Sequence, residues 1–153
     1  MENILVHRDE ISLKLAFDDA FHPSELHPKA DHWYPKYKLS LLDKSFEFKG
    51  WFTGQFWYLN GDNLIVFEEY VNQTFDSESI KHDGDIELRL FLIDFKRSAV
   101  TKFSRLRNGR FDVLRLTEDD RIIYLKKQHD KTGEFEINLN SLEFELISRI
   151  NND

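Results

Sequence analysis

The chain has 153 residues, no cysteine and a net charge of −7 at neutral pH. That length fits a single domain spanning 1–153, able to bury roughly 70% of the surface its unfolded form exposes without covalent staples. The missing cysteines exclude disulfide frameworks, thiolate metal sites and cysteine nucleophiles. The acidic balance argues against general nucleic-acid binding, which needs a basic footprint.

The opening MENILVHRDE has neither a basic start nor an apolar run of signal-peptide length. No stretch approaches the ~20 apolar residues of a membrane span. The expectation is a soluble, cytoplasmic protein with no membrane contact. ISLKLAF then alternates Ile11, Leu13, Leu15 and Phe17 with polar or small neighbours, the period of a half-buried strand. All three prolines, Pro23, Pro28 and Pro35, fall in the next segment and mark 18–35 as an irregular loop.

That loop also holds His22, His27 and His32, half of the chain's six histidines. A five-residue step gathers them neither on a helix nor on a strand, and the following prolines stiffen the loop. Asp18, Asp19 and Asp31 could complete a His/carboxylate site, but a surface loop anchored by Trp33 and Tyr34 is the better reading. No metal and no cofactor is therefore assigned.

KYKLSLL repeats the strand period through Tyr37, Leu39 and Leu41. FEFKGWFTGQFWYL, residues 46–59, places Phe46, Phe48, Phe52, Phe56 and Tyr58 on one face, with Gly50 and Gly54 free to relieve crowding or admit a bulge. The other face is polar except for Trp51, Trp57 and Leu59. Tryptophan is enriched among interface hot spots, so Trp51 and Trp57 are candidate partner contacts. The alternative is that another element covers that face.

LIVFEEYV is apolar on both faces and reads as a central strand. Its Glu68 and Glu69 point to opposite faces, cannot serve one substrate together, and are expected at a solvated strand end. The loop NQTFDSESIKHDGD follows. Its acids Asp76, Glu78, Asp83 and Asp85 do not match a calcium-binding loop. They make a candidate electrostatic surface for a basic partner.

DIELRLFLIDF sets Ile86, Leu88, Leu90 and Leu92 on one face. Residues 96–115 carry seven basic groups and one acidic, against balances of −9 before and −4 after. This segment, with Arg105, Arg107 and Arg110, is the alternative surface and would suit an acidic partner. Asn108-Gly109 within it predicts a two-residue hairpin. EFEINL continues the period through Phe135, Ile137 and Leu139. SLEFELIS is read as a strand, with a short C-terminal helix as the alternative because Asn140 and Glu143 have capping-box spacing.

The predicted fold is mainly β: an antiparallel meander folded into a sandwich or open barrel, since short links join antiparallel neighbours. No nucleotide-binding, nucleophile-elbow or zinc motif is present, and the chain is read as non-catalytic.

The run ELRLFLIDFKRSAVTKFSRLRNGRFDVLRL, DRIIYLKK and GEFEINLNSLEFEL, with GWFTGQFWYLNGDNLIVFEEY, resembles the β-meander style of some bacterial immunity proteins. The resemblance implies a small cytosolic inhibitor that binds a cognate secreted toxin, in many cases a basic nuclease. It has no diagnostic motif and assigns no residue. Two other classes stand beside it: a small-molecule- or metal-binding β-barrel or enzyme using the His22–His32 loop, and a structural subunit of a bacterial assembly docking through the Trp face.

Overall fold

The computed structural model describes residues 3–8, 11–21, 34–59, 63–76 and 78–150. The histidine loop, with Trp33, lies outside the described residues. All strand pairing is antiparallel and forms two sheets, as the alternating sequence implies.

The large sheet begins with β1 (Ile4–Arg8), β2 (Ile11–Phe21) and β3 (Tyr34–Leu41). The two-residue β4 (Phe46–Glu47) pairs with the end of β3. Then come β5 (Trp51–Leu59), β6 (Leu64–Tyr70), β7 (Glu87–Asp94) and β8 (Ala99–Arg107). The small sheet is β9 (Arg110–Leu116), β10 (Arg121–Gln128) and β11 (Lys131–Asn138). The chain then returns to the large sheet through β12 (Glu145–Leu146), which pairs with β8, and ends in α1 (Ile147–Ile150). Among the described residues, no helix is long and apolar enough to cross a membrane.

Strands β6 and β7 organise the packing, because their side chains are apolar on both faces. Leu64, Val66 and Tyr70 with Leu88, Leu90 and Leu92 face one core, shared with Phe111, Val113, Ile122 and Tyr124 of the small sheet. Ile65, Phe67, Phe91 and Ile93 face a second core, shared with Leu13, Leu15, Leu39 and Leu41. The large sheet thus curls its β1–β3 end over its own centre. Arg8 of β1 lies 5.6 Å from the Tyr58 ring of β5, three places along the sheet. The curl stays open, since no pairing among the described residues joins β1 to the far edge.

The aromatic ribbon follows its pattern except at Tyr58, which the alternation places on the core face and which is 39% exposed. Phe48 and Phe52 are buried in the second core, with Phe46 and Phe56 half-buried beside them. Gly50 and Gly54 have φ of +97° and +98°, which glycine alone adopts freely. The pairing of β5 with β6 shifts register between Phe52 and Phe56, and the ring of Tyr37 occupies the space a Cβ on Gly54 would need. The other face of the ribbon is also covered: Trp51 and Trp57 pack, half-buried, against the first core.

Four expectations need correction. Irregularity does not extend over all of 18–35, because β2 and β3 remain paired out to Phe21↔Tyr34. Pro35 is accommodated because β3 meets β5 only at Tyr37, so no second neighbour asks Pro35 for an N–H. Asn108-Gly109 does not close a hairpin: β8 pairs with β7 along its length while β9 pairs with β10 in the other sheet, and β8 and β9 do not pair with each other. Asn108, with φ 57°, instead donates its N–H to Ile86 O at 3.0 Å and turns the chain from one sheet into the other.

The third correction concerns Glu68 and Glu69, which are 3% and 0% exposed rather than solvated. Last, SLEFELIS is not one continuous strand: only Glu145–Leu146 pair as β12, and the short C-terminal helix, the alternative reading, forms as α1. A 3-10 turn at Leu139–Ser141, capped by Asn138 rather than Asn140, precedes the short β12 and α1.

Gly109 is pressed against the small sheet, where an added Cβ would lie 2.4 Å from Lys127 O. Gly109→Ala is expected to cost about 1–3 kcal/mol by overpacking against backbone that cannot yield. Gly84→Ala, which meets only the exposed His82 side chain, should stay within about 0.5 kcal/mol. Urea unfolding of the two variants checks this.

Candidate functional site

The acidic loop between β6 and β7 is built rather than loose. Asn72 clasps its two ends, donating from Nδ2 to Asp85 O and accepting at Oδ1 from Glu87 N, both at 2.9 Å. Asp76 Oδ1 accepts from Ser79 N at 2.7 Å and Glu78 N at 3.1 Å, closing a turn that drops the fully buried Ile80 into the first core. A 3-10 turn at Asp83–Asp85 follows, with Asp85 Oδ2 accepting from Lys81 N at 2.9 Å. Tyr34 OH donates to Asp83 Oδ1 and ties the turn to β3. These donors hold the Asp76 and Asp85 carboxyls below their usual range: Ser79 N–H at the first, Lys81 N–H at the second. Burial and the Asp83 contact push the Tyr34 hydroxyl up.

The loop stands on an aromatic base. The Phe75 ring meets Tyr70 edge-on at 4.9 Å and Phe21 at 6.0 Å. Lys36 Nζ lies 5.2 Å from the Phe75 ring and 4.3 Å from Trp51, while Lys38 Nζ lies 3.9 Å from Trp51. Of the candidate contacts, the fold therefore brings Trp51, Asp76, Glu78, Asp83 and Asp85 into one region. Trp57 sits opposite Val66, whereas Trp51 sits opposite Tyr70, so Trp57 is about 13 Å further along the sheet, four partner positions at ~3.3 Å per residue.

The basic segment adjoins this region instead of forming a separate face. Arg105 and Arg107 each reach a different oxygen of Glu87 at 3.4 Å, at the loop's exit. A groove of about 610 Å³ separates the loop from the small sheet. Tyr34 and Asp83 form one wall, and Arg110, Lys127 and His129 the other. Asn108 and His129 meet at 3.0 Å on the groove, both with left-handed backbone. Among the described residues, no group of three or more His, Asp or Glu is placed to hold a metal ion.

Two buried carboxylates escape a reading by sequence pattern. Glu68 lies between the sheets, with Oε1 accepting from Thr53 Oγ1 and Oε2 from Phe111 N, both at 2.8 Å. It fastens β6 to the edge of β9. Glu69 faces the other way, paired with Arg89 Nε at 2.5 Å and 3.8 Å from Lys102 Nζ. Burial raises the pKa of both carboxyls, partly offset by these partners, and burial lowers that of Lys102.

No family model, no curated protein and no solved structure matches this chain. What defines it is the architecture: a two-sheet antiparallel β protein with a braced acidic loop beside a basic-walled groove.

Glu68→Gln keeps an acceptor for Phe111 N and removes the buried charge. A raised folded-state pKa means that the carboxyl's contribution to stability is full below the unfolded pKa and lost as pH rises through the folded one. Glu68→Gln should therefore be more stable than wild type at neutral pH, the gap closing as pH falls through the carboxylate range. Glu68→Ala leaves Phe111 N–H unsatisfied, a loss of about 1–3 kcal/mol. Thermal unfolding across pH measures both. Tyr34→Phe removes the tie to Asp83 at a cost of about 1 kcal/mol, and amide exchange should quicken over residues 83–87.

Proposed function

We propose that this chain is a non-catalytic protein-binding module, an immunity protein that neutralises a cognate bacterial toxin in the cytoplasm. The observation that carries the reading is the bracing of the acidic loop. Asp76, Asp83 and Asp85 are fixed by hydrogen bonds to loop backbone or to Tyr34, and the clasp at Asn72 holds the whole segment at a set height over the aromatic base. A loop ordered before binding spares the complex the entropy of ordering it, which benefits affinity more than added contact area does.

Charge supports the same reading. A net charge of −7 with acids gathered on one loop speeds capture of a basic protein and steers it to that loop. The adjoining groove, with Arg110 and Lys127 on its far wall, offers an acidic side chain of the same partner a place to dock. Trp51, half-buried and gripped by Lys36 and Lys38, stiffens the base of the loop.

Tagged chain captured from its own cells should bring down one stoichiometric partner, lethal when expressed alone and harmless when co-expressed with this chain. A chain that gives no protection against the partner it captures is not an immunity protein. Structural roles of Asp76 and Asp85 dictate the variant for the charge test: Glu78→Lys with Asp76→Asn and Asp85→Asn, which leaves an acceptor at each turn. Association measured by stopped flow should slow several-fold and lose much of its salt dependence. An unchanged rate and salt slope removes the loop from the interface.

A further inference from the structure

We propose that the outer edge of β11, unpaired among the described residues, is a strand-docking site, taking an extended segment of the partner in which basic and apolar residues alternate. The partner rests on the protein-binding reading above; the site rests on separate features of the fold.

A sheet edge exposes unpaired backbone donors and acceptors, and folds ordinarily shorten, bulge or cover it. Three of the four edges here are treated in that way. The large sheet ends on one side in the five-residue β1, and on the other in the two-residue β12 and the stretch of β8 beyond it, which is bulged at Ser104 (φ 59°). The β9 edge gives its Phe111 N–H to the buried Glu68. β11 is different. It is eight residues long, contains no proline, and pairs with β10 in unbroken register from Arg121↔Asn138 to Gln128↔Lys131. Its side chains are exposed or half-buried along its whole length.

A groove of about 430 Å³ lies over the face of the β10–β11 hairpin that borders this edge, lined by Lys126 and Gln128 of β10 and by Lys131, Thr132, Gly133 and Phe135 of β11. Phe135 is 42% exposed, yet it is held in place. Its ring stacks on Tyr124 at 5.9 Å and 23°, Lys126 Nζ lies 4.7 Å from its centre, and it covers Gly133 so closely that an added Cβ would stand 2.9 Å from it. Backbone pairing supplies affinity in strand addition, and pockets for alternate side chains supply selectivity.

The alternation of β11 sets the chemistry of the occupant. Glu134 and Glu136 share one face, Phe135 and Ile137 the other. Glu136 is engaged by Arg121 at 3.0 Å, while Glu134 has no ion-pair partner among the described residues. An added strand puts every second side chain beside these carboxylates and the intervening ones beside Phe135 and Ile137. Lysine or arginine alternating with valine or another apolar residue fits both rows. A second copy fits less well. Antiparallel self-pairing centred on Phe135 sets Glu134 against Glu136, and pairing centred on Glu134 sets it against itself.

The test uses a short labelled peptide alternating Lys and Val, the same peptide interrupted by a central proline, and its Glu-Val counterpart. Fluorescence anisotropy and hydrogen exchange are read on the full chain. The Lys-Val peptide should bind and slow exchange at 131–138, and the other two should not bind. Glu134→Lys, alone and with Glu136→Lys, should weaken binding about tenfold or more in the double variant, as loss of close charge pairs across an interface does. Both positions are exposed, and Glu134→Lys breaks no ion pair, so it serves as the variant whose fold is not at issue.

Equal binding of the proline or Glu-Val peptide overturns the proposal, as does protection on β1 instead, or no binding at all. So does concentration-dependent self-association that protects β11 without peptide, which makes the occupant a second copy. A captured partner that binds the double variant undiminished removes this site while leaving the protein-binding reading intact. A docked peptide with no protective partner does the reverse.

Discussion

Everything in this fold depends on strands β6 and β7 being apolar on both faces. A sheet with one wet face can stop at a single layer, but one whose centre is apolar on both sides has to be covered twice. The chain meets that demand with two different devices. On one side it folds the β1–β3 end of the same sheet back over the centre. On the other it leaves the sheet at Asn108-Gly109 and builds a second, three-stranded sheet as a lid.

Glu68 belongs to the second device. Its carboxylate is costly to bury, yet it reaches across the layer to the Phe111 N–H and the Thr53 hydroxyl. Without an acceptor, the Phe111 N–H would be a buried orphan. Apolar contact fixes how close the two sheets come, and this directional contact fixes their register. The acidic loop depends on the same frame: Ile80 inserts into the inter-sheet core, and the 3-10 turn leans on β3 through Tyr34. The acidic surface is thereby held by the interior.

How much of this the sequence shows depends on the range of the forces involved. Alternation is local, so β2, β3, β7 and the doubly buried β6 can be read from Leu13, Leu39, Leu90 and Val66 with their neighbours. The glycines of the aromatic ribbon can be read too, since a run of Phe needs relief. Glu68 and Glu69 defeat the pattern, because their partners lie on other strands: Thr53 and Phe111 for one, Arg89 and Lys102 for the other. Asn108-Gly109 defeats it for a related reason. The dipeptide specifies a tight turn, but which sheet the following strand joins depends on the packed layers, since β9 pairs with β10 and not with β8. The braces of the acidic loop are half legible. Asp76 with Ser79 is a short-range turn, but the tie between Tyr34 and Asp83 joins positions that only the packed sheet brings together.

The return of the chain through β12 has a consequence for the order of assembly. Residues 110–138 form a meander of sequence neighbours, whose hairpins close quickly because little loop entropy opposes them. The pairing of Glu145 with Val100 spans that whole excursion and fastens only two residues. Closure of the large sheet's last edge is thus a late event, gated by completion of the lid. A nascent chain synthesised as far as β11 already carries both cores' central strands and lacks the final seam, the Leu139, Leu142 and Phe144 that close the first core, and the Ile147 that enters the second.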